Sequence, residues 1–347
     1  MEPENLPPEE IASSVAGCAS CGHPIIEQGH ATALCKECRE KFIKFPIPPA
    51  IKIFAGLILV IFVFAMIRTP QNLSAGIHYQ RAKDDIRQGR YLSAENELNK
   101  VVRQIPRFIS AKEYLAIASF HNQDFRTFTG VISELQGKTV EEQELYSEIN
   151  EMINKFGNYV PSDSFMVLYT RYHSFDSIPE EINRQYVIRY PDEVFAAARY
   201  ASILLNNKEY QPADSVTNIL LQKDNSYLSG LGLKTAIKRD LKQFDSAHYY
   251  CDRILSLNQE STYGMSLKAR VFLKEKKDAE GLQWALKSVA LDKEDGYSIA
   301  TLALAYHFNN KPVETEKILH AVKKDSSLAE YIQYASDIIN GKEKFRD

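Results

Sequence analysis

The feature that most restricts the fold of this 347-residue chain is a recurrence at 34 residues. Tyr91 and Phe125 are separated by that interval, and so are Tyr210 and Phe244. The next steps reach Asp278 and Pro312. Each of these positions follows a short polar turn, such as Asn207-Lys208-Glu209 or Lys276-Lys277. Two sets of small residues hold the same phase. One is Ala82 and Ala116, then Ala201, Thr235, Ala269 and Ala303; the other is Ala94, Ala213 and Ala247, then Gly281 and Thr315. Small side chains at a fixed interval are what two antiparallel helices need in order to cross closely, since a larger group would push them apart. Larger apolar residues follow one turn later, at Leu98, Ile132, Cys251 and Leu319. Pro106 and Pro191 fall where a second helix should end, and Pro312 suits a first turn, where no donor is needed. Residues 71–347 therefore read as stacked helical hairpins with little β alternation.

This pattern resembles the tetratricopeptide repeat, a 34-residue helix–turn–helix unit. The small residue of helix A, the turn aromatic, the alanine of helix B and the terminal proline all match. The resemblance implies an all-α, right-handed solenoid over 71–347. The closest units begin near residues 75, 194, 228 and 262, with weaker ones near 109 and 296. An unrelated α-helical solenoid or bundle is the alternative. The family's early tryptophan is absent, Phe128 replaces a helix B alanine, and Asp278 replaces the aromatic. The register also slips: Ala116 to Ala201 is two and a half periods, so an extra helix-sized unit and a hinge are expected between 143 and 193. Residues 327–340 are expected to form a closing helix. The resemblance further implies a groove for a protein or peptide, lined by the inner helices. Its positions carry over to Tyr79, Lys83, Ile86, Ile117, Phe120, Phe195, Arg239, Tyr263, Arg270, Tyr297 and His307. Aromatics mixed with arginine suit a protein-binding surface. The Lys/Asn clamp that grips a carboxyl terminus in chaperone-binding members is missing, which disfavours chaperone tails.

Ahead of the repeats lies Ala50–Ile67, eighteen residues with a single charge, Lys52, near its start. As a helix it covers roughly 27 Å, enough for a bilayer's hydrocarbon core, and Lys52 can snorkel. Arg68, Thr69 and Pro70 are expected to end it. About 50 residues precede it without a cleavage site after it, so a signal peptide is disfavoured. Lys36, Arg39, Lys41, Lys44 and Lys52 crowd the amino side. The expectation is a single-pass membrane protein with residues 1–49 cytoplasmic and the repeats extracytoplasmic (50–68 spanning). Residues 1–17, with four Glu and three Pro, read as a disordered acidic tail, and Phe45-Pro46-Ile47-Pro48-Pro49 as a stiff break.

Four of the five cysteines form two Cys-x-x-Cys pairs, Cys18/Cys21 and Cys35/Cys38. Four thiolates at this spacing make a closed tetrahedral site, so 18–44 reads as a metal-dependent module similar to zinc ribbons and zinc knuckles, holding structural zinc. Gly22 permits the tight knuckle. His23 and His30 are secondary candidates. Two disulfides or free thiols are the alternative, the disulfides being disfavoured in a cytoplasmic segment.

No phosphate-binding loop, HExxH or nucleophile-elbow pattern appears, and His121, His173, His248 and His307 are scattered. Cys251 falls on a buried stripe. Net charge is −3, so no general attraction to nucleic acid is implied, and the basic run at 36–44 is better explained by membrane topology and anionic lipid. The sequence thus points to a membrane-anchored, non-enzymatic, protein-binding scaffold with no small-molecule substrate. A transmembrane sensor coupling the repeats to the zinc module, and an organelle receptor with cytosolic repeats, are the rival readings.

Overall fold

The computed structural model describes residues 17–43, 47–138, 143–322 and 328–346. The acidic stretch up to residue 16, and Lys44, Phe45 and Pro46 of the basic run and proline break, lie outside them. Two compact units are present, Met1–Pro70 and Gln71–Asp347. Among the described residues every regular element is a helix. The first unit holds α1 (Lys36–Ile43) and the start of α2 (Pro49–Arg87). Within α2, Pro49–Met66 has a mean hydropathy of 2.4 and none of it is buried. The helix does not stop at Pro70, contrary to the sequence expectation. Proline inside a helix forfeits one backbone bond, a cost of about 3 kcal/mol. Here helix-forming sequence on both sides carries α2 through it.

The second unit pairs the end of α2 with α3 (Tyr91–Gln104), and then α4 (Ile109–His121) with α5 (Phe125–Leu135). Next comes α6 (Gln143–Tyr159), then α7 (Asp163–Tyr172) with α8 (Glu180–Arg189). Four further helices are α9 (Val194–Asn206), α10 (Tyr210–Lys223), α11 (Leu228–Asp240) and α12 (Phe244–Leu257). The last five are α13 (Thr262–Lys274), α14 (Asp278–Leu291), α15 (Gly296–Phe308), α16 (Pro312–Val322) and α17 (Ala329–Ile339). The turn positions Tyr91, Phe125, Tyr210, Phe244, Asp278 and Pro312 are the first residues of α3, α5, α10, α12, α14 and α16.

The period is written into the backbone. Gly89 and Gln123, and then Lys208, Lys242, Lys276 and Asn310, all take positive φ at 34-residue intervals. Each sits in a turn closed by an amide reaching back five residues, as in Glu209 N–H to Leu204 O and Lys277 N–H to Phe272 O, 2.8 and 2.9 Å. That is the Schellman ending of a helix, in which a left-handed residue lets the chain reverse. The small residues serve as spacers. Ala82, Ala116, Ala201, Thr235, Ala269 and Ala303 are fully buried, as are Ala94, Ala213 and Ala247. A Cβ on Gly281 would lie 2.7 Å from Leu273 Cδ2, so α13 and α14 cross with no room for a methyl group.

The span 143–193 holds one unpaired helix, α6, and one hairpin, α7/α8. Leu145, Ile149, Met152 and Phe156 seat α6 on the core of the first two hairpins. Phe128 fits this break. It is 1% exposed, and its ring meets Phe120 at 5.3 Å and Phe156 at 5.6 Å, so the bulky residue fills the space α6 closes. α7 and α8 pack on α9 through Phe165, Ile178, Tyr186 and Ala196. α17 packs against α15, and Ile332, Ala335 and Ile338 cover the last apolar face.

A lysine at φ 66° bears a Cβ penalty that glycine avoids. Lys276→Gly is expected to raise the free energy of unfolding by about 0.5 kcal/mol, a gain reduced by glycine's freedom in the unfolded chain. Lys276→Val should lower it by about 1–2 kcal/mol. Urea titrations followed by helix circular dichroism measure both.

Candidate metal centre and acidic cleft

The Sγ atoms of Cys18, Cys21, Cys35 and Cys38 lie within 4.8 Å of one another. A tetrahedral zinc with sulfur at about 2.3 Å requires sulfurs about 3.8 Å apart, and Cys21 and Cys35 stand at 3.6 Å. Cys18, Cys35 and Cys38 are buried and Cys21 is exposed. The loop is built for a thiolate. Gly22, at φ 75°, returns the chain so that its amide donates to Cys18 O and the Cys18 amide to His23 O, both 2.8 Å. The amide of Cys35 above all, then those of Ser20 and Cys21, donate to the Cys18 sulfur and outweigh burial, holding the thiol at about 6. At Cys21 the amide of His23 favours the thiolate, but crowding by the thiols of Cys38, Cys35 and Cys18 prevails and lifts it to about 12. Sulfurs that cannot all ionise together unless a cation joins them fit zinc, which would be held by all four and would serve structure. Ala19 N–H to Ala33 O and Glu27 N–H to Leu34 O tie the two loops without forming a strand among the described residues, so the module is loops plus α1. Arg39 binds Glu27 at 2.9 Å and the Thr32 carbonyl at 2.9 Å, which ties one member of the basic run into the module. His23 and His30 are exposed and outside the sulfur set.

In the repeat unit the groove positions fall into three groups. Tyr79 packs on Phe108 and Tyr114 at 4.8 and 5.7 Å, with the Lys83 ammonium 5.5 and 5.3 Å from the Tyr79 and Tyr114 rings. Ile86, Ile117 and Phe120 belong to the same core. Phe195 packs on Phe165 and Phe175 beneath α7. Tyr263 presses on Gly232, where a Cβ would stand 1.9 Å from its hydroxyl, and meets Tyr297 at 5.5 Å. Arg270 donates to Thr301 Oγ1 at 2.8 Å and lies 4.1 Å over Tyr297 and 6.0 Å from Tyr334 of α17. Arg239 is buried and bidentate to Asp240, at 3.0 and 2.9 Å. His307 is half-buried beside Phe308, and burial lowers its pKa. Each of these side chains packs on, or is bonded to, other residues of the repeat unit, and most of them keep part of their surface exposed.

The repeat unit also closes on itself. The α12–α13 turn reaches the first two hairpins. Gln259 N–H donates to Gly89 O at 2.9 Å, and Asn258 Nδ2 donates to Asn122 Oδ1 at 2.9 Å. Ser93 donates its amide and hydroxyl to Glu260, 2.8 and 2.7 Å, so the first turn of α3 is capped by a carboxylate 167 residues away. Tyr159 at the end of α6 stacks on Tyr227 at 4.5 Å and donates to Asp224.

This closure leaves a cleft of about 570 Å³. Its lining holds the carboxylates of Glu95, Asp124, Glu260, Asp292, Glu294 and Asp295, and no Lys or Arg. Asp124 and Asp295 are N-caps of α5 and α15, accepting from Thr127 and Tyr297 amides at 3.0 and 3.1 Å. Glu95 is 7% exposed; burial above all raises its pKa to about 7, against an Asn122 amide bond of 2.7 Å that lowers it. For Asp124 burial acts upward, but bonds from Thr127 and from Glu95 win and hold it low. Glu95 directly follows the helix B alanine Ala94, but none of these carboxylates recurs at the repeat interval, and the sequence distance between Glu260 and Ser93 hides their meeting.

Two measurements follow. Protein purified with zinc should carry one ion per chain by elemental analysis. Chelation should expose four thiols to a thiol reagent while the fully buried Cys251 stays protected, and Cys18→Ser should lose the metal. Glu95 binds its proton more tightly folded than unfolded, so its contribution falls as pH rises from about 4.5 to about 7. Glu95→Gln should therefore be more stable than the natural protein at pH of about 8, by roughly 1–3 kcal/mol, with the difference vanishing below pH about 4.5. Urea unfolding across that range measures it.

No family model matches the chain, and no curated protein matches it. Solved structures do. The TPR2AB domain of yeast Sti1, solved in complex with pHSP90, is 12% identical, covers 68% of this chain and 98% of its own, and gives a TM-score of 0.29. Yeast Tom70 is 12% identical over 73% of this chain and 61% of its own, at 0.34. The TPR domain of P58(IPK) is 12% identical over 82% and 93%, at 0.24. The Sti1 and P58(IPK) structures are TPR domains, and at such scores the repeat in this chain rests on its own helices, turns and spacers.

Proposed function

We propose that this protein is a membrane-anchored scaffold that holds another polypeptide in the cleft between its first hairpins and the α12–α13 turn. The cleft carries the reading: six carboxylates line it with no Lys or Arg among the lining residues. Small-molecule sites are mostly apolar with a few polar groups, and this lining is the reverse. A basic, extended segment suits it, steered inward by the field of the walls. A smaller hollow of about 250 Å³ shares His121, Gln123 and Leu228 with it and adds Phe120, Phe125 and Met152, an apolar continuation for a side chain of the same partner. Pro49–Met66 supplies the anchor, and the four-cysteine centre holds structural zinc on the side flanked by Lys36, Arg39, Lys41 and Lys52, the cytoplasmic side. The repeats then face the opposite compartment.

A photo-crosslinking residue at Asn96, exposed on the cleft wall, is expected to capture a polypeptide in intact membranes, with yield falling as salt rises. The same residue at Gln283, on the exposed face of α14, should give none. Equal yields from both positions, or none from Asn96, would overturn the cleft as the binding surface. Protease access to residues 71–347 in sealed membranes tests the orientation.

A further inference from the structure

One inner surface of the repeats already has an occupant, and it belongs to the chain. After α17, Gly341 takes φ 69°, and the amides of Lys342 and Glu343 both donate to Asp337 O, at 2.8 and 3.1 Å. The chain thereby turns back across the ends of α11, α13 and α15. Lys342, Glu343 and Lys344 are exposed, whereas Phe345 is 3% exposed. Its ring lies 5.5 Å from Phe308, with the Lys274 ammonium and Arg239 guanidinium 5.3 and 5.8 Å from its centre. Lys274 also donates to the Phe345 carbonyl. Arg346 stacks 4.0 Å over Phe308, donates to the Leu273 carbonyl at 2.7 Å, and forms a two-pronged pair with Asp278, whose Nη2–Oδ2 arm is 3.0 Å.

The recognition is concentrated in two residues. Ring, carbonyl and guanidinium are all engaged by α11, α13, α14 and α15, whereas Lys342, Glu343 and Lys344 are exposed and Lys342 pairs with Asp337 of α17 at 3.5 Å. Asp278 stands where Tyr210 and Phe244 stand in their repeats, so this unit gives up a turn aromatic and places a carboxylate under Arg346. A planar bidentate arginine–carboxylate pair beside an aromatic stack is a specific reader of arginine.

We infer that this surface recognises an aromatic–arginine pair in extended polypeptide, and that Phe345-Arg346 is its resident occupant in cis. A partner segment of the same chemistry engages by displacing it. The inference deepens the scaffold reading and rests on it, with a second surface separate from the acidic cleft. A short tether holds its ligand at an effective concentration on the order of millimolar, so a free peptide meets a nearly closed site in the natural chain.

The test uses the full chain in detergent and a fluorescent peptide, Gly-Lys-Glu-Lys-Phe-Arg. The F345A/R346A variant is expected to bind it at least tenfold more tightly than the natural chain, by fluorescence anisotropy. Adding Asp278→Asn should cut that binding at least tenfold, and a peptide with Ala for Arg should not bind. Equal binding to the natural chain and the variant, or no saturable binding to a variant of unchanged helix content, overturns the inference. Should the double variant lose helix content, Arg346→Ala alone applies the same criteria with the Phe345 ring retained. A negative result here leaves capture at Asn96 untouched, and failure at Asn96 leaves this binding measurable.

Discussion

Two helices that cross at a small residue come close together, and the repeat unit depends on that contact recurring from hairpin to hairpin, with Phe128 of α5 as the exception. The fully buried Ala82, Ala116, Ala201, Ala269 and Ala303 fix one helix of each pair, and Ala94, Ala213 and Ala247 fix the other. At Gly281 even a methyl group is excluded. Close crossing in turn demands a tight reversal, supplied by a left-handed residue at the same 34-residue step. Lysine and asparagine there accept strain of order 1 kcal/mol. The packing that each turn permits outweighs that cost: burying one leucine-sized side chain contributes about 2–3 kcal/mol.

The interruption of this regularity determines where the open surface lies. α6 enters as a single helix, seated by Phe156 on Phe128. The unit then folds back until the α12–α13 turn meets the first hairpins. Asn258 is 2% exposed and bonded to Asn122 and the His121 carbonyl, and Glu260 caps α3. These are polar contacts at helix ends, where amides need partners in any case. The closure at the α12–α13 turn therefore rests on groups that would otherwise take water, with the Tyr159–Tyr227 stack as its aromatic complement.

What could be read in advance follows from the range of the interaction. The hairpins, their turn residues and the spacers are local and periodic, so Tyr210, Phe244 and the alanines announce them, and the paired cysteines announce a sulfur cluster. The continuation of α2 through Pro70 was not legible, because the rule for proline is a local cost that flanking helix can absorb. Nor was the contact between Arg270 and α17 legible. Arg270 and Tyr297 sit at inner-helix positions, yet α17 brings Tyr334 over Arg270 from a segment with no phase relation to them. Asp278 did carry a signal, since a carboxylate at an aromatic position breaks the pattern, but its partner Arg346 is 68 residues away and only the fold pairs them.

The cleft shows why local charge matters more here than the total. The chain's net charge is only −3, yet six carboxylates share one cleft with no Lys or Arg in the lining. Caps account for part of this, since Asp124, Asp295 and Glu260 each neutralise helix-end amides and so cost little to place side by side. Glu95 relieves the rest. Buried and bonded to Asn122, it keeps its proton near neutrality, and the proton it shares toward Asp124 lets that neighbour stay charged. An incoming cation would stabilise the ionised form of Glu95 and release that proton. Binding of a basic segment should therefore be coupled to proton release and weaken as pH falls below about 7, a cost that a wall already fully ionised would not bear.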